Sequence, residues 1–241
     1  MNKFIKSAFV ATALVSTLSA NEDLTPKQIN EIQNLNLFKM AQVKVNKGID
    51  AGSVYMLNVT IKGKGDQIFL TKDKKYLIPG DVISTENGQA LTMPVDLKPT
   101  LGKEAFTFGT GKDEYVLFTD PECPYCKKFE SYFPQIEDKV KIRVFYFPLN
   151  FHKNARDISL FIMSQDTNKA KIEAMDTTVN TAAYKNRKYE KGELEKLETK
   201  LDEQIALGGQ LGVSGTPAIF DKNGDKVSWV KMLKDYGVNL K

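Results

Sequence analysis

The sequence predicts a small N-terminal α+β domain over residues 21–95 and an α/β domain over residues 112–241 with a helical insertion at about 154–207. Three observations predict this division. Short alternating segments follow the first helical pattern, a connector interrupted by proline and glycine occupies residues 96–111, and strand patterns then alternate with helical ones. The length of 241 residues fits one or two domains.

The composition is that of an ordinary globular protein. Hydrophobic residues make up 41% and charged residues 27% of the chain, which is enough for a substantial core. The formal net charge is +4, and it falls to +2 when residues 1–20, with Lys3 and Lys6, are removed. Because the lysines are interleaved with acidic residues, they indicate a solvated surface, and we expect no nucleic-acid partner.

The first twenty residues have the pattern of an export signal. Lys3 and Lys6 precede an apolar or small run from Ala8 to Leu18, and Ser19-Ala20 offers small residues for cleavage. We expect a signal peptide over residues 1–20, cleaved after Ala20; an uncleaved membrane anchor is the alternative. Export would bring the protein to an oxidising compartment.

One helix and several short strands are predicted in the N-terminal domain. Thr25–Gln28 has capping-box spacing with proline at the first helical position, and Ile29, Ile32 and Leu35 follow at helical spacing. Strands are predicted at Val54–Ile61, Gln67–Thr71, Tyr76–Ile78 and Val82–Ser84. So small a domain has a thin core. It would either pair with a second copy through a strand edge or pack as a monomeric addition, and the residues alone leave both open.

The only two cysteines, Cys123 and Cys126, lie between a predicted strand ending at Phe118 and a helical pattern. This arrangement is typical of dithiol chemistry. The first sulfur would lie at the helix N-terminus, whose partial positive charge favours a thiolate. The second would face the same side and attack a mixed disulfide formed by the first. Pro124 suits the first helical turn, because a missing N–H costs nothing there.

Other functions of a Cys-x-x-Cys pair need ligands that this chain lacks. A zinc site needs four ligands, and the chain offers two sulfurs and a single histidine, His152. Covalent haem needs histidine directly after the second cysteine, where Lys127 stands. We therefore predict no metal site and no cofactor, and a purely structural disulfide is the remaining alternative.

The rest of the C-terminal domain shows one more strand and a run of helices. Pro134 should end or kink the cysteine helix, and the β-branched and aromatic residues of Lys141–Phe147 predict a second strand. Helices are predicted at Ala155–Ser164, Lys169–Met175 and Glu193–Leu207, the last of them ended by Gly208-Gly209.

The last stretch places a proline directly before an apolar strand. Pro217, after Gly215-Thr216, fits either a cis bond or a trans bond at the start of an edge strand. Asn223-Gly224 predicts a hairpin turn into a strand at Val227–Val230, followed by a short terminal helix.

These motifs together resemble a known family. Residues 118–126 (FTDPECPYC) and 213–218 (VSGTPA) resemble those of the thioredoxin-fold disulfide isomerases of the bacterial periplasm, the DsbC/DsbG type. Residues 76–81 (YLIPGD) are similar to a strand and turn of that family's N-terminal dimerisation domain. Residues 147–152 (FPLNFH) resemble the segment after its second thioredoxin strand. The dipeptide between the cysteines is more similar to the DsbG branch.

The resemblance implies a thioredoxin fold for the second domain and a homodimer formed through residues 21–95. It implies that a cis-proline loop faces the sulfurs and presents backbone groups to an extended substrate segment. The implied site residues are Cys123 as nucleophile, Cys126 as resolving thiol, Thr216 and Pro217 in the cis-proline loop, and Pro124 and Tyr125 as tuning residues.

The resemblance also implies a function. It indicates a periplasmic thiol-disulfide oxidoreductase that isomerises or reduces misformed disulfides, and also sulfenylated cysteines, in exported proteins. A membrane reductant of the DsbD type would restore the dithiol. The alternatives are a thiol oxidase on the same fold and a non-catalytic holdase chaperone whose cysteines are incidental.

Neighbouring charges leave the redox potential open. The helix terminus favours the Cys123 thiolate, whereas Asp120 and Glu122 would oppose it if their carboxylates approached the sulfur. The two lysines after Cys126 would help only if they folded back. His152 is expected to be a packing or surface residue.

Overall fold

The computed structural model describes residues 22–85, 88 and 90–240. The predicted signal peptide, residues 1–20, lies outside the described residues. The chain divides into two compact units, one ending at Val82 and the other beginning at Ile83. The connector predicted from the sequence lies later in the chain, at residues 96–111.

The first unit is an antiparallel sheet with two helices. Its strands neighbour one another in chain order and are β1 Glu22–Asp23, β2 Val43–Asp50, β3 Val54–Ile61, β4 Lys64–Thr71 and β5 Leu77–Ile78. The helices are α1 Pro26–Gln33 and α2 Asn36–Met40. Thr25 caps α1 through the predicted capping box with Gln28. Ile32 of α1 and Phe38 of α2 are buried in one core with the apolar residues of β2, β3 and β4.

Strand β2 was not predicted, and its irregular register explains why. A bulge between Val45 and Lys47 interrupts the alternation of apolar and polar residues. At Val82–Ser84, the structure has only an isolated bridge, between Ile83 and Ala90, in place of the predicted strand.

The outer edge of β2 is covered along most of its length. β1 pairs with its last two residues, and the Leu24 N–H donates to the Gly48 carbonyl at 2.8 Å. The Gln33 side-chain amide donates to the Val43 carbonyl at 2.6 Å and accepts from the Val45 N–H at 2.8 Å. This amide occupies the place that a neighbouring strand would take.

The second unit is a mixed sheet in the order β10-β9-β7-β8-β6. Its strands are β6 Phe106–Phe108, β7 Asp113–Thr119, β8 Val140–Tyr146, β9 Ala218–Asp221 and β10 Lys226–Val227. β7 and β8 are parallel, and the other pairs are antiparallel. The helices are α3 Pro124–Glu130, α4 Ala155–Met163, α5 Asn168–Glu173, α6 Ala182–Lys185, α7 Glu193–Gln210 and α8 Trp229–Asp235. In the described part of the chain, no helix is both long and apolar enough to cross a bilayer.

Both faces of the second sheet are buried. Side chains alternate along β7, so neighbouring residues of this strand enter two different apolar clusters. Val116 and Phe118 contribute to a cluster with Phe145 and Phe220. Leu117 belongs to a larger cluster that includes Phe129 of α3 and buried residues of α4 and α7. The inserted helices α4 and α7 thus share the core on which the cysteine helix packs.

Helix α7 continues past the predicted stop at Gly208-Gly209, which was wrong. Gly208 is buried, and a Cβ there would lie 2.5 Å from the ring of Phe147, so this glycine permits close packing inside the helix. The helix ends instead at Gln210, and Gly212 then adopts a left-handed φ of 74°.

Residues 96–111, predicted as a connector, contribute to the second unit. Phe106–Phe108 forms β6, whose two phenylalanines are buried at the edge of the sheet. Pro99 and Gly102 just before it obscured this short strand in the sequence.

The predicted C-terminal hairpin is present, but its second strand ends at Val227. Trp229 and Val230 belong to α8, because the Ser228 hydroxyl caps that helix by accepting the Lys231 N–H at 3.4 Å. Trp229 packs against Phe129, with 6.1 Å between the ring centroids.

Candidate active site

The cysteines lie at the start of α3, just beyond the C-terminal end of β7. Cys123 is the N-cap residue: its carbonyl accepts the Lys127 N–H at 3.1 Å, and its N–H donates to the Asp120 carbonyl at 3.1 Å. Pro124 occupies the first helical turn, as the sequence predicts. The turn from Asp120 to Cys123 therefore holds the first cysteine at the helix N-terminus.

Exposure distinguishes the two cysteines. Both are free thiols, and Cys123 retains 4% of its accessible surface whereas Cys126 retains 0%. The two residues between them face solvent, and Tyr125 is 68% exposed. A partner that arrives from solvent therefore meets Cys123 first.

The sheet brings the second motif beside the first. β9 pairs antiparallel with β7, with Phe118 opposite Ala218, so the residues before β9 lie beside the turn that follows β7. The Thr216–Pro217 bond is cis. The Cys123 thiol donates to the Thr216 carbonyl, with 3.3 Å between sulfur and oxygen, across 93 positions of the chain.

Cys126 is held as a thiol. Burial raises the pKa of the Cys126 thiol well above its usual range, and the nearby Thr119 hydroxyl acts in the opposite direction. The Thr216 hydroxyl is also close enough to lower this pKa, yet Thr216 Oγ1 is buried without a hydrogen bond of normal geometry to any described residue. Cys126 must therefore lose a proton before it can act as a nucleophile.

A carboxyl group that no sequence motif indicates lies close to Cys126 and Thr119. Glu130, one helical turn after Cys126 on α3, accepts a hydrogen bond at Oε1 from the buried Thr119 hydroxyl at 2.5 Å. Burial raises the pKa of Glu130 from 4.5 to about 7. One sequence feature could have indicated that Glu130 is close to the site. It lies four residues after Cys126, on a helix face that otherwise carries Phe129 and Phe133.

The two carboxylates before Cys123 have partners of their own. The fully buried Asp120 accepts from the backbone N–H groups of Glu122 at 2.7 Å and Leu149 at 2.6 Å, and it is hydrogen-bonded to His152 Nδ1 at 2.9 Å. Glu122 accepts from Asn154 at 2.7 and 2.9 Å. Although burial acts to raise it, the pKa of Glu122 is held below its usual range by these bonds from Asn154. His152 thus bonds to the turn that carries the cysteines.

The lysines after Cys126 are also engaged. The Lys127 ammonium donates to the Met175 carbonyl, and Lys128 Nζ lies 5.3 Å from the centroid of the Tyr132 ring.

Within residues 22–85, 88 and 90–240, no three His, Cys, Asp or Glu side chains form a group that could hold a metal ion.

The architecture around the cysteines corresponds to a known family model. Residues 108–231, just over half of the chain, match the model described as a thioredoxin-like domain. This chain belongs to the thioredoxin-like domain family. The predicted thioredoxin-like fold with a helical insertion is therefore confirmed for the second unit. The match contains both cysteines and the Thr216–Pro217 loop.

Curated relatives of this thioredoxin-like protein carry the predicted family name. It is 27% identical over 170 residues to the thiol:disulfide interchange protein DsbC of Salmonella typhimurium, covering 65% of each chain. It is 26% identical over 183 residues to a probable DsbC of Bordetella avium, covering 69% of this chain and 59% of the relative. The chain spans less than two thirds of the length of these relatives. The catalytic domain of Proteus mirabilis ScsC is similar over 58% of this chain and 91% of its own, with 19% identity and a TM-score of 0.40.

Proposed function

We propose that this protein is a thiol-disulfide oxidoreductase that isomerises or reduces misformed disulfides in exported proteins. One observation carries the proposal: the Cys123 sulfur lies at the N-terminus of α3, 3.3 Å from the Thr216 carbonyl. The DsbC names of relatives at 26–27% identity support the same activity.

The first step is attack by Cys123 as a thiolate, because the thiolate is the nucleophilic form of cysteine. Its sulfur bonds to one sulfur of the substrate disulfide. The substrate S–S bond breaks, and the second substrate sulfur leaves as a thiolate. Protein and substrate are then joined by a mixed disulfide at Cys123.

Two routes release the substrate. A substrate thiolate attacks the substrate sulfur of the mixed disulfide, which forms a new substrate disulfide, returns the Cys123 thiolate and transfers no net electrons. Alternatively, Cys126 attacks the Cys123 sulfur, which closes the Cys123–Cys126 disulfide and releases a reduced substrate after transfer of two electrons. A membrane reductant of the DsbD type would then restore the dithiol.

The same thiolate can act on a sulfenylated cysteine. Attack by Cys123 on the sulfenic sulfur forms a mixed disulfide and releases the oxygen as water. Cys126 then resolves that mixed disulfide as in the reductive route, so one site serves both substrate classes.

Residues around the sulfur would hold the substrate. The loop of Thr216 and Pro217 adjoins Cys123, and its backbone groups would pair with an extended substrate segment. Tyr125, which is 68% exposed, offers an aromatic surface next to the nucleophile. Pro124 would tune the thiol through the first turn of α3.

We further propose a homodimer formed through residues 21–95 and a periplasmic location reached by the predicted signal peptide. Gln33 and β1 cover the outer edge of β2, whereas β5, of two residues, is the last strand at the other side of the sheet. Pairing of two copies beyond β5 would satisfy further backbone groups and enlarge a thin core.

Refolding of scrambled ribonuclease tests the proposed activity. The wild-type protein should restore ribonuclease activity, and Cys123→Ala should not, because no thiolate can start the exchange. Cys126→Ala should retain isomerisation but lose catalytic reduction of insulin. Equal refolding by wild type and Cys123→Ala would contradict the proposal and leave the holdase alternative.

The redox state of the cysteines in cells tests the oxidase alternative. A Cys123–Cys126 pair that is mainly oxidised in cells would favour the oxidase.

A further inference from the structure

The loop between β8 and α4 is hydrogen-bonded to the turn between β7 and α3. It reaches Asp120 twice: the Leu149 N–H donates to Asp120 Oδ2 at 2.6 Å, and His152 Nδ1 lies 2.9 Å from the same oxygen. The Glu122 N–H donates to the other oxygen, Oδ1, at 2.7 Å. Asp120 retains 0% of its accessible surface, so these three bonds replace water around its carboxylate.

The partners of Asp120 indicate which nitrogen of His152 carries a hydrogen. An ionised carboxylate only accepts hydrogen bonds, and the two oxygens of Asp120 already accept from two backbone N–H groups. His152 Nδ1 is therefore the donor of the third bond. Both the neutral ring with hydrogen on Nδ1 and the protonated ring can make this bond, so it does not require a charged imidazole.

Asp120 in turn holds the first cysteine. Its carbonyl accepts the Cys123 N–H at 3.1 Å, and its carboxylate accepts the N–H of the preceding residue. Two consecutive N–H groups of the turn thus end on one residue. Because Cys123 Sγ lies only 3.3 Å from the Thr216 carbonyl, a small rotation of this turn would carry the sulfur away from the cis-proline loop.

We propose that His152 is a positioning residue for the nucleophile: its hydrogen bond to Asp120 holds the turn that keeps Cys123 beside the Thr216 carbonyl. This inference rests on the proposed function. Without the imidazole, Asp120 Oδ2 would keep one of its two hydrogen bonds in a place that solvent does not reach. A buried carboxylate that loses a donor turns toward another donor or toward water, and the backbone of the turn would move with it.

The surroundings of His152 favour this role over simple space-filling. Its side chain is 18% exposed, and the one ring packed against it, that of Phe151, is itself 74% exposed, with 4.5 Å between the ring centroids. The imidazole therefore lies at the surface on one side and meets a fully buried carboxylate on the other. The buried contact of this side chain is polar.

Three substitutions of His152 separate the hydrogen bond from packing. The amide nitrogen of asparagine is attached to Cγ, as Nδ1 is in histidine, so His152→Asn keeps a donor near the same place. His152→Gln moves the donor one bond further out, and His152→Leu has no donor. Asparagine is the smallest of the three replacements. A packing role therefore predicts the largest defect for His152→Asn, and a hydrogen-bond role predicts the smallest.

Reaction with dithionitrobenzoate measures the attack by Cys123 alone when the reduced full-length protein carries Cys126→Ala, because Cys123 is then the only thiol. The Cys123 thiolate bonds to one sulfur of the reagent. The reagent S–S bond breaks, and one thionitrobenzoate leaves as a coloured thiolate. Stopped-flow absorbance at about pH 7 gives the second-order rate constant in this background for each side chain at position 152.

His152→Leu and His152→Gln should slow this reaction by about tenfold, and His152→Asn should stay within about threefold of the parent. Lys153→Gln, at an exposed position of the same loop, is the matched control and should leave the rate unchanged. If His152→Leu does not fold, the comparison of His152→Asn with His152→Gln still decides the outcome.

Equal rates for the parent and all three His152 variants would overturn the inference. It would also be overturned if His152→Asn were as slow as His152→Gln or slower, because that order follows lost volume or lost charge and not a lost donor. If the Cys126→Ala protein with His152 in place released no thionitrobenzoate, the proposed function itself would be contradicted, so the two failures are distinguishable.

Discussion

At the scale of single residues, burial gives the two sulfurs different properties. Cys123 keeps a small accessible surface and contacts the Thr216 carbonyl, whereas Cys126 has no accessible surface and a raised pKa. The more accessible sulfur suits attack on an incoming disulfide. The buried one suits a later step inside the complex, provided that a nearby group takes its proton.

The raised pKa of Glu130 predicts a dependence of stability on pH. The carboxyl has a pKa of about 7 in the folded protein and about 4.5 when unfolded, so the folded state binds more protons between these values. The free energy of unfolding should therefore fall as the pH rises from about 4.5 to about 7, by at most about 3 kcal/mol. Glu130→Gln should lose this slope and be more stable than the wild type at about pH 8.

Thermal unfolding of the reduced proteins at about pH 5 and about pH 8 measures this difference. Glu137→Gln should retain the wild-type slope. If Glu130→Gln shows that slope as well, the carboxyl does not titrate near neutral pH in the folded protein.

Sequence motifs predicted one part of the site better than the other. Cys123 and Thr216 stand in short motifs whose residues resemble those of a known family. The contact between these two residues could therefore be predicted from the resemblance. Glu130 was missed because a single glutamate near the end of a seven-residue helix resembles a surface position. Only its contact with the buried Thr119, from another element, reveals its environment.

At the scale of elements, sheet register positions the site. The antiparallel pairing of β9 with β7 brings the Thr216–Pro217 loop to the turn before α3. Helix α7 packs close to the end of β7, because Gly208 lets it approach Phe118 and Phe147. The sequence predicts a helix stop at Gly208-Gly209, since glycine pairs commonly end helices and close packing is not visible in a pattern.

Two adjacent glycines of α7 make a matched pair of substitutions. Gly208→Ala should lower the free energy of unfolding by about 1–3 kcal/mol, because its Cβ would lie 2.5 Å from the Phe147 ring. Gly209→Ala has nothing within 4 Å of its new Cβ, so it should raise stability by about 0.5 kcal/mol through helix propensity. Urea unfolding of both variants measures the difference, and equal stabilities would contradict the close contact.

The strands that could be predicted are those in which apolar residues follow a regular, uninterrupted pattern. The strand Val54–Ile61 was predicted with its observed bounds, because its apolar pattern is uninterrupted. β2 was missed because its bulge shifts the alternation and Gly48 leaves a gap in the apolar face. Short edge strands such as β6 carry too few residues for a periodic signal.

At the scale of the whole molecule, the chain combines a thioredoxin-like unit with a smaller antiparallel unit. The second unit contains every predicted site residue, and in the first unit the Gln33 side chain covers part of the outer edge of β2. The boundary was predicted too late in the chain, because the irregular stretch after Val82 resembles the end of the N-terminal domain in composition.

The dimer proposal predicts the size, in solution, of the chain without its predicted signal peptide. The chain from Asn21 onward should sediment as a dimer, and residues 83–241 should sediment as a monomer, because pairing is proposed through the first unit. Gln33→Ala, which uncovers the edge of β2, should lower stability by about 1 kcal/mol and leave the dimer intact. A monomeric chain from Asn21 onward would rule out the dimer.

The central claim is that Cys123 forms a mixed disulfide with a substrate that carries misformed disulfides. The most direct measurement is mass spectrometry, without reductant, of Cys126→Ala mixed with scrambled ribonuclease. We expect a one-to-one covalent adduct through Cys123 that dithiothreitol releases, and no adduct when Cys123 is also replaced by alanine. The absence of an adduct with Cys126→Ala, or an equal amount with the double variant, would contradict the account.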